Sequence, residues 1–400
     1  LKALQKRGGK VVVVDPRRTE TAKMADEHHF VRPGTDVYLL LAIAQVLFEE
    51  LLVAPGKLDP ILDGKKDLAR LVVNWTPEKV AETVGMTAGA IRKLARDIAA
   101  APRAAIYSRV GVTTSAHSTL SAWLVYLINI LTGNLDREGG VMFTRPAFDI
   151  VALGALSGDT GSFDRYRSRV HGYPEFGGEF PVTTLADEML TPGKGQVKAF
   201  VSHAGNPVLS CPDGRKLDKA LGQLDFMVSI DFYINETTRH ADIILPPTGQ
   251  LEHAQFDPIF QAVAVRNVVK FTPPLVAKPE GSLHDWEILN GLTTRLNRLR
   301  ARDRRTRLKI TATDRFVRKL GDRGLVDLGL RLGPYGTAGK VLDDLRRDGL
   351  HSLPTVAWKV LKGQRKGLTL KKLLAEPHGI DLGPLEPMLP ERLYTRDQRI

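Results

Sequence analysis

The run Val11-Val-Val-Val14, followed by Asp15-Pro16, most constrains what this chain can fold into. Four consecutive β-branched apolar residues leave no polar face, so the sequence predicts a parallel strand covered on both sides. A parallel strand needs a crossover, usually a helix, to reach its neighbour. The chain supplies such alternation. A helix is predicted over 37–52, others open at Thr76-Pro77 and Thr87, a strand spans 104–112 and a buried helix spans 117–132. Residues 145–195, rich in Gly, Pro and Ser, read as loops with short helices. Strands return at 197–202, 226–230 and 241–245, with a helix at 213–222. This rhythm predicts an α/β fold with doubly wound parallel sheets. Beyond Asp285 the chain reads as helical and basic, and from Leu353 as loop.

Fifty-seven Lys and Arg against 45 Asp and Glu give a net charge of +12. The excess is local. Residues 295–323 hold 12 basic and 3 acidic residues, so that run alone carries +9. A charge run of this kind is read first as a solvated helix face. Only Phe316 is aromatic there, which argues against a nucleic-acid surface. A single cysteine, Cys211, excludes an internal disulfide framework and an iron–sulfur cluster held by this chain alone. The longest apolar run, 122–131, is too short to span a bilayer. The chain opens at Leu1 with no signal-like segment; the expectation is a cytoplasmic fragment of a longer protein, an export signal further upstream being compatible with it.

In an open α/β sheet, ligands bind beyond the carboxyl ends of the strands. Here those positions are Asp15-Pro-Arg17, His203-Ala-Gly205-Asn206-Pro207, Asp231 and Pro246-Pro-Thr248. Asp, Asn, Thr, Arg and Gly suit a polar heterocycle and phosphates. The sequence contains no G-x-G-x-x-G after a strand, no Walker A motif, no H-E-x-x-H and no G-x-S-x-G. Each position also has a bland reading. Asp15 and Asp231 can cap turns, and Asp36 and Asp285 can cap helices. Cys211 reads as packed rather than catalytic, and no histidine is assigned to catalysis.

Five stretches in order carry a family resemblance. They are Val13-Val-Asp-Pro-Arg-Arg-Thr-Glu-Thr-Ala-Lys23 with Val31-Arg-Pro-Gly-Thr-Asp36, Leu131-Thr-Gly-Asn-Leu-Asp-Arg-Glu-Gly-Gly140, Gly205-Asn-Pro207, Glu236-Thr-Thr-Arg-His-Ala-Asp-Ile-Ile-Leu-Pro246, and Leu251-Glu252. From about Lys10 to Leu289 the chain resembles the molybdopterin oxidoreductases of the dimethyl sulfoxide reductase superfamily. The resemblance implies molybdenum (or tungsten) held by two molybdopterin guanine dinucleotides, bis-molybdopterin guanine dinucleotide, each on a Rossmann-like lobe. It implies that Gly34, Thr35 and Asp36 receive one dinucleotide, that Gly205, Asn206, Asp231, Thr248 and Asp285 receive the other, and that Gly111 lies near the pterin. Thr113 and Thr114 stand where the family often has Asn or Gln.

The fold expected is therefore α/β, with two Rossmann-like doubly wound lobes followed by a helical basic connector. Residues 1–112 would complete the first lobe, 113–290 form the second, and 291–400 lead to a further C-terminal domain. No catalytic residue and no metal ligand are expected in this chain. Those, and any iron–sulfur cluster, would lie upstream, so the chain alone is expected to be inactive. The expected partners are a small-molecule substrate and an unspecified electron-transfer partner, with no nucleic acid and no membrane segment. A second reading, from another class, is a non-catalytic nucleotide-binding or interaction protein using the same lobes.

Overall fold

The structure, a computed structural model, describes residues 1–156, 161–339, 367–393, 395 and 397–400. It divides into two compact units, Leu1–Thr144 with Pro384–Ile400, and Arg145–Gly383.

In the first unit the valine run forms β1 (Val12–Val14), paired in parallel with β2 (Glu27–His29) so that Val12 faces Glu27. The expected double-sided burial is not met. Val11 is buried but Val14 is 38% exposed, because β2 is its only partner strand among the described residues. Four helices make the core: α1 (Asp36–Glu49), α2 (Pro77–Val84), α3 (Ala88–Ala100) and α4 (Ser118–Leu131). Thr76 and Thr87 cap α2 and α3, each hydroxyl accepting the backbone N–H of the third helical residue, Lys79 and Ala90. Val46, Leu47, Ile91, Leu124 and Ile128 are sealed between the helices. Burying each contributes about 1.5–3 kcal/mol.

The strand expected over 104–112 does not form. Residues 104–109 carry no regular structure and Val110–Thr113 is one helical turn. The physical reason is the partner. The backbone of Ala104 and Ile106 bonds to the side chains of Asn134 and Asn129, not to a strand. α4 packs with α1 in one hydrophobic core, so the boundary expected after residue 112 falls inside this unit.

The second unit opens with short helices, as expected, and also with an antiparallel pair, Phe163–Arg167 against Pro174–Phe176. The buried Glu175 knits this hairpin. Its carboxylate accepts from the Ser162 hydroxyl, from the N–H groups of Gly178 and Arg165 at 2.6 and 3.2 Å, and from the Arg165 guanidinium at 3.2 Å. These donors pull its carboxyl down to about 2.

Then comes the central sheet. β3 (Ala199–His203), β4 (Phe226–Ile230) and β5 (Ile243–Ile244) lie side by side in that order, all parallel. The crossover helix α5 (Gly214–Leu221) buries Leu217, Ala220 and Leu221 with Met227 of the sheet. Ser202 and Ser229 share a hydrogen bond of 2.7 Å between adjacent strands, satisfying two buried hydroxyls. A second sheet pairs β6 (Asn267–Val269) antiparallel with β7 (Ile380–Gly383). β7 lies in a stretch read as loop from sequence.

Between β6 and β7 the basic region forms α6 (Asp285–Arg300) and α7 (Arg304–Leu332). Asn290 donates to Asp314 at 2.7 Å and Arg298 to Thr311 at 2.7 Å, so the two helices run antiparallel. Gly321 (φ 62°, ψ −175°) interrupts α7. Leu330 beyond it is sealed among Ala147, Phe271 and Leu373. The β6–β7 pairing and this core hold the basic helices in the same unit as the parallel sheet, so the boundary expected after 290 also falls inside a unit. The loop expected from Leu353 lies outside the described residues up to 366. No helix among the described residues is long and apolar enough to cross a membrane.

Candidate cofactor site

In the first unit the candidate residues stand at the entrance to α1. Arg32, Pro33, Gly34 and Thr35 form a tight turn closed by Thr35 N–H to the Arg32 carbonyl at 3.2 Å. Pro at its second position and Gly at φ 79° at its third suit a type II turn, and the left-handed φ is what requires glycine. The Thr35 hydroxyl also donates to the Arg32 carbonyl, at 2.6 Å, and Arg32 N–H reaches the Val84 carbonyl at the end of α2, at 2.8 Å. The turn is thereby fixed to two helices.

Thr35, not Asp36, occupies the N-cap position, and Asp36 is the first helical residue. Burial pushes the half-buried Asp36 carboxyl above the usual carboxylate range, partly offset by its own backbone N–H. No other side chain donates to it among the described residues. The site thus presents an acceptor pair with no side-chain partner among the described residues, at the N-terminus of α1. Gly111 lies elsewhere in this unit, exposed in the turn Val110–Thr113, where an added Cβ would meet nothing within 4 Å. The structure does not bond it to the Gly34–Asp36 turn.

In the second unit the loops leaving β3, β4 and β5 converge at the carboxyl edge of the sheet. Asn206 ties the first two together. Its Nδ2 donates to Glu236 at 2.6 Å, and its Oδ1 accepts from the Thr237 hydroxyl at 2.7 Å. Asp231 is engaged within its own loop, accepting from Tyr233 N–H at 3.0 Å and from Asn235 Nδ2 at 3.3 Å. The Asp231 carboxylate keeps further lone pairs, but its turn-capping role is plain. Thr248 is buried, with its hydroxyl 2.6 Å from His284 Nδ1 at the start of α6. Asp285, next to it, bonds His203 Nε2 at 3.1 Å through Oδ1. Gly205 packs nothing tightly against its Cα, while Ala204 before it takes a left-handed φ of 50°.

Five sequence candidates therefore share one sheet edge, and three share one turn. The partners to which the sequence assigned no role are His203, Glu236, Thr237 and His284. Glu236 and Thr237 belong to a stretch that carries the family resemblance, and His203 is the last residue of β3. Cys211 is half-buried and unpaired in a disulfide. Among the described residues no group of three His, Cys, Asp or Glu could hold a metal ion.

A family model for molybdopterin oxidoreductase matches residues 1–295. The chain belongs to the molybdopterin oxidoreductase family. Membership implies a molybdenum- or tungsten-molybdopterin cofactor. The chain is 30% identical over 298 residues to the F420-dependent formate dehydrogenase subunit alpha of Methanocaldococcus jannaschii, covering 72% of this chain and 43% of that protein. It is 29% identical to the thiosulfate reductase molybdopterin-containing subunit PhsA of Salmonella typhimurium, over 63% of this chain and 35% of the relative. Formate dehydrogenase H of Escherichia coli matches at 28% identity over 73% and 42%. The matches thus span less than half the length of these relatives. Among solved structures, acetylene hydratase from Pelobacter acetylenicus aligns with a TM-score of 0.62 at 23% identity, over 74% of this chain and 44% of the other, a likeness of fold.

Proposed function

We propose that the chain is the guanine-dinucleotide-binding scaffold of a molybdopterin-dependent oxidoreductase acting on a small-molecule substrate, with two Rossmann-like lobes each receiving one dinucleotide. When bound, the cofactor supplies two-electron redox chemistry at molybdenum or tungsten. The protein binds and orients.

The observation that carries this reading is Asp36. Guanine offers N1–H and its N2 amine side by side, and a carboxylate offers two acceptors at matching spacing. A half-buried carboxylate without a side-chain partner is costly in the empty protein, and such a pair of donors would satisfy it. The adjacent Gly34–Thr35 turn has open space around it, so phosphate oxygens can approach backbone N–H groups. In the second lobe His203 holds Asp285 through Oδ1 and leaves Oδ2 without a side-chain partner among the described residues, and Asn206 with Glu236 ties the two loop edges together. These residues fit a guanine nucleotide better than an adenine one, which presents an acceptor at N1.

Acid release of nucleotide from the full-length protein tests the reading. Wild type should release GMP, one for each dinucleotide. Asp36→Asn should retain the first-lobe nucleotide about ten- to a hundred-fold less tightly, the cost of one charged hydrogen-bonding group. Release of AMP or CMP instead, or unchanged retention in Asp36→Asn, overturns it.

A further inference from the structure

We propose that the groove between α6 and α7 docks an acidic protein segment that also carries apolar side chains. The groove, of about 730 Å³, is lined by Arg295, Arg298, Leu299, Arg304, Arg307 and Leu308, with Thr311 at its side. No carboxylate lines it. The two nearby acids of the hairpin are committed elsewhere. Asp303 caps α7 by accepting from the Thr306 N–H and hydroxyl, and Asp314 serves Asn290, Thr294 and Arg318. Arg298 is held by Thr311 at 2.7 Å and Arg295 by the Gly291 carbonyl at 3.1 Å, so two guanidiniums are pre-oriented. Arg304 and Arg307 make no ion pair among the described residues.

Charge alone would fit many anions. The leucines narrow the choice. Leu299 is 81% and Leu308 60% exposed, between the arginines. A phosphate or a free dicarboxylate gains nothing from them. A single-stranded nucleic acid would use aromatic platforms for its bases, and none lines the groove, while a duplex would engage the arginines through its phosphates and gain nothing from the leucines. Arginine beside exposed apolar side chains is the composition of protein interfaces, where the guanidinium forks onto carboxylates and the apolar centre excludes water. The complement is a segment with Asp or Glu flanking Leu-like residues, supplied by a partner protein.

Titration of the full-length protein with three probes tests this. They are a peptide with Glu and Leu at helical spacing, polyglutamate of equal length, and duplex DNA. The Glu/Leu peptide should bind most tightly. Arg298→Glu with Arg307→Glu should weaken it about a hundred-fold, and Leu299→Ser with Leu308→Ser about ten-fold. Circular dichroism melting should be unchanged in the leucine variant, since both side chains are exposed. Equal binding of polyglutamate, tighter binding of DNA, no binding of the Glu/Leu peptide, or indifference to the leucine substitutions overturns the proposal.

Discussion

The carboxamide of Asn129 holds Ile106 at both of its backbone polar groups. Nδ2 donates to the Ile106 carbonyl at 2.9 Å, and the Ile106 N–H donates to Oδ1 at 3.1 Å. Nδ2 also donates to the Val125 carbonyl one turn back along α4, at 2.8 Å. Asn129 is wholly buried. One side chain thus stands in for a neighbouring strand, which is why an apolar segment with strand-like composition runs along a helix instead.

Asn129→Leu would leave the Ile106 N–H and carbonyl unpaired inside the protein. Each such group costs about 1–3 kcal/mol, so a loss of about 3 kcal/mol is expected. Asn129→Asp should do no better, because a carboxylate cannot donate to the two carbonyls. Urea unfolding measures this, and a loss below about 1 kcal/mol in both variants would show that the pairing is dispensable.

At the second sheet edge, Asp231 and Asp285 should respond differently to the same change. Asp231→Asn turns an amine toward Asn235 Nδ2 or the Tyr233 N–H, so the loop loosens whether or not nucleotide is bound. Asp285→Asn touches only His203. It should reduce GMP content about ten- to a hundred-fold while the melting point of nucleotide-free protein stays put. GMP analysis and melting curves of the full-length variants decide between them. If Asp285→Asn keeps its GMP, the second guanine is not held there.

Glu175 predicts an acid-labile hairpin. Its folded-state carboxyl, pulled down to about 2, lies below the ordinary glutamate value of 4.5. A depressed carboxylate stabilises the fold above its unfolded pKa, and the contribution is lost as pH falls through the folded value. Wild-type stability should therefore fall between about pH 4.5 and 2. Glu175→Gln should be less stable at neutral pH and show a shallower fall across that window. Thermal melting against pH is the measurement, and parallel curves for the two proteins would contradict it.

Much of the fold was legible because it is local. β4 sits where its apolar run predicts, and Thr76 and Thr87 announce their helices. What failed is non-local. β7 reads as loop because its partner β6 lies over a hundred residues earlier, as the ion pair of Arg266 with Asp381 across the two strands shows. The 104–112 segment has strand-forming residues, but pairing is decided by what lies beside it. At the candidate site, Asp36 and Asp285 were readable as residue types in position. That Asp285 shares a hydrogen bond with His203, 82 residues away, was not.

Gly321 divides α7 by function as well as by shape. The helical arm before it bears Arg304 and Arg307 of the groove, and the arm after it is pinned by Leu330 in the core and by Gly329 against the Phe148 ring. A φ of 62° with ψ of −175° is a conformation that only glycine adopts freely. The chain therefore keeps its cargo of charge on a boom and its anchorage in a socket, with one residue as the joint. A residue with a Cβ at that joint would strain the link between the charged arm and the anchored one, while the bonds from Asn290 and Arg298 keep the charged arm on α6.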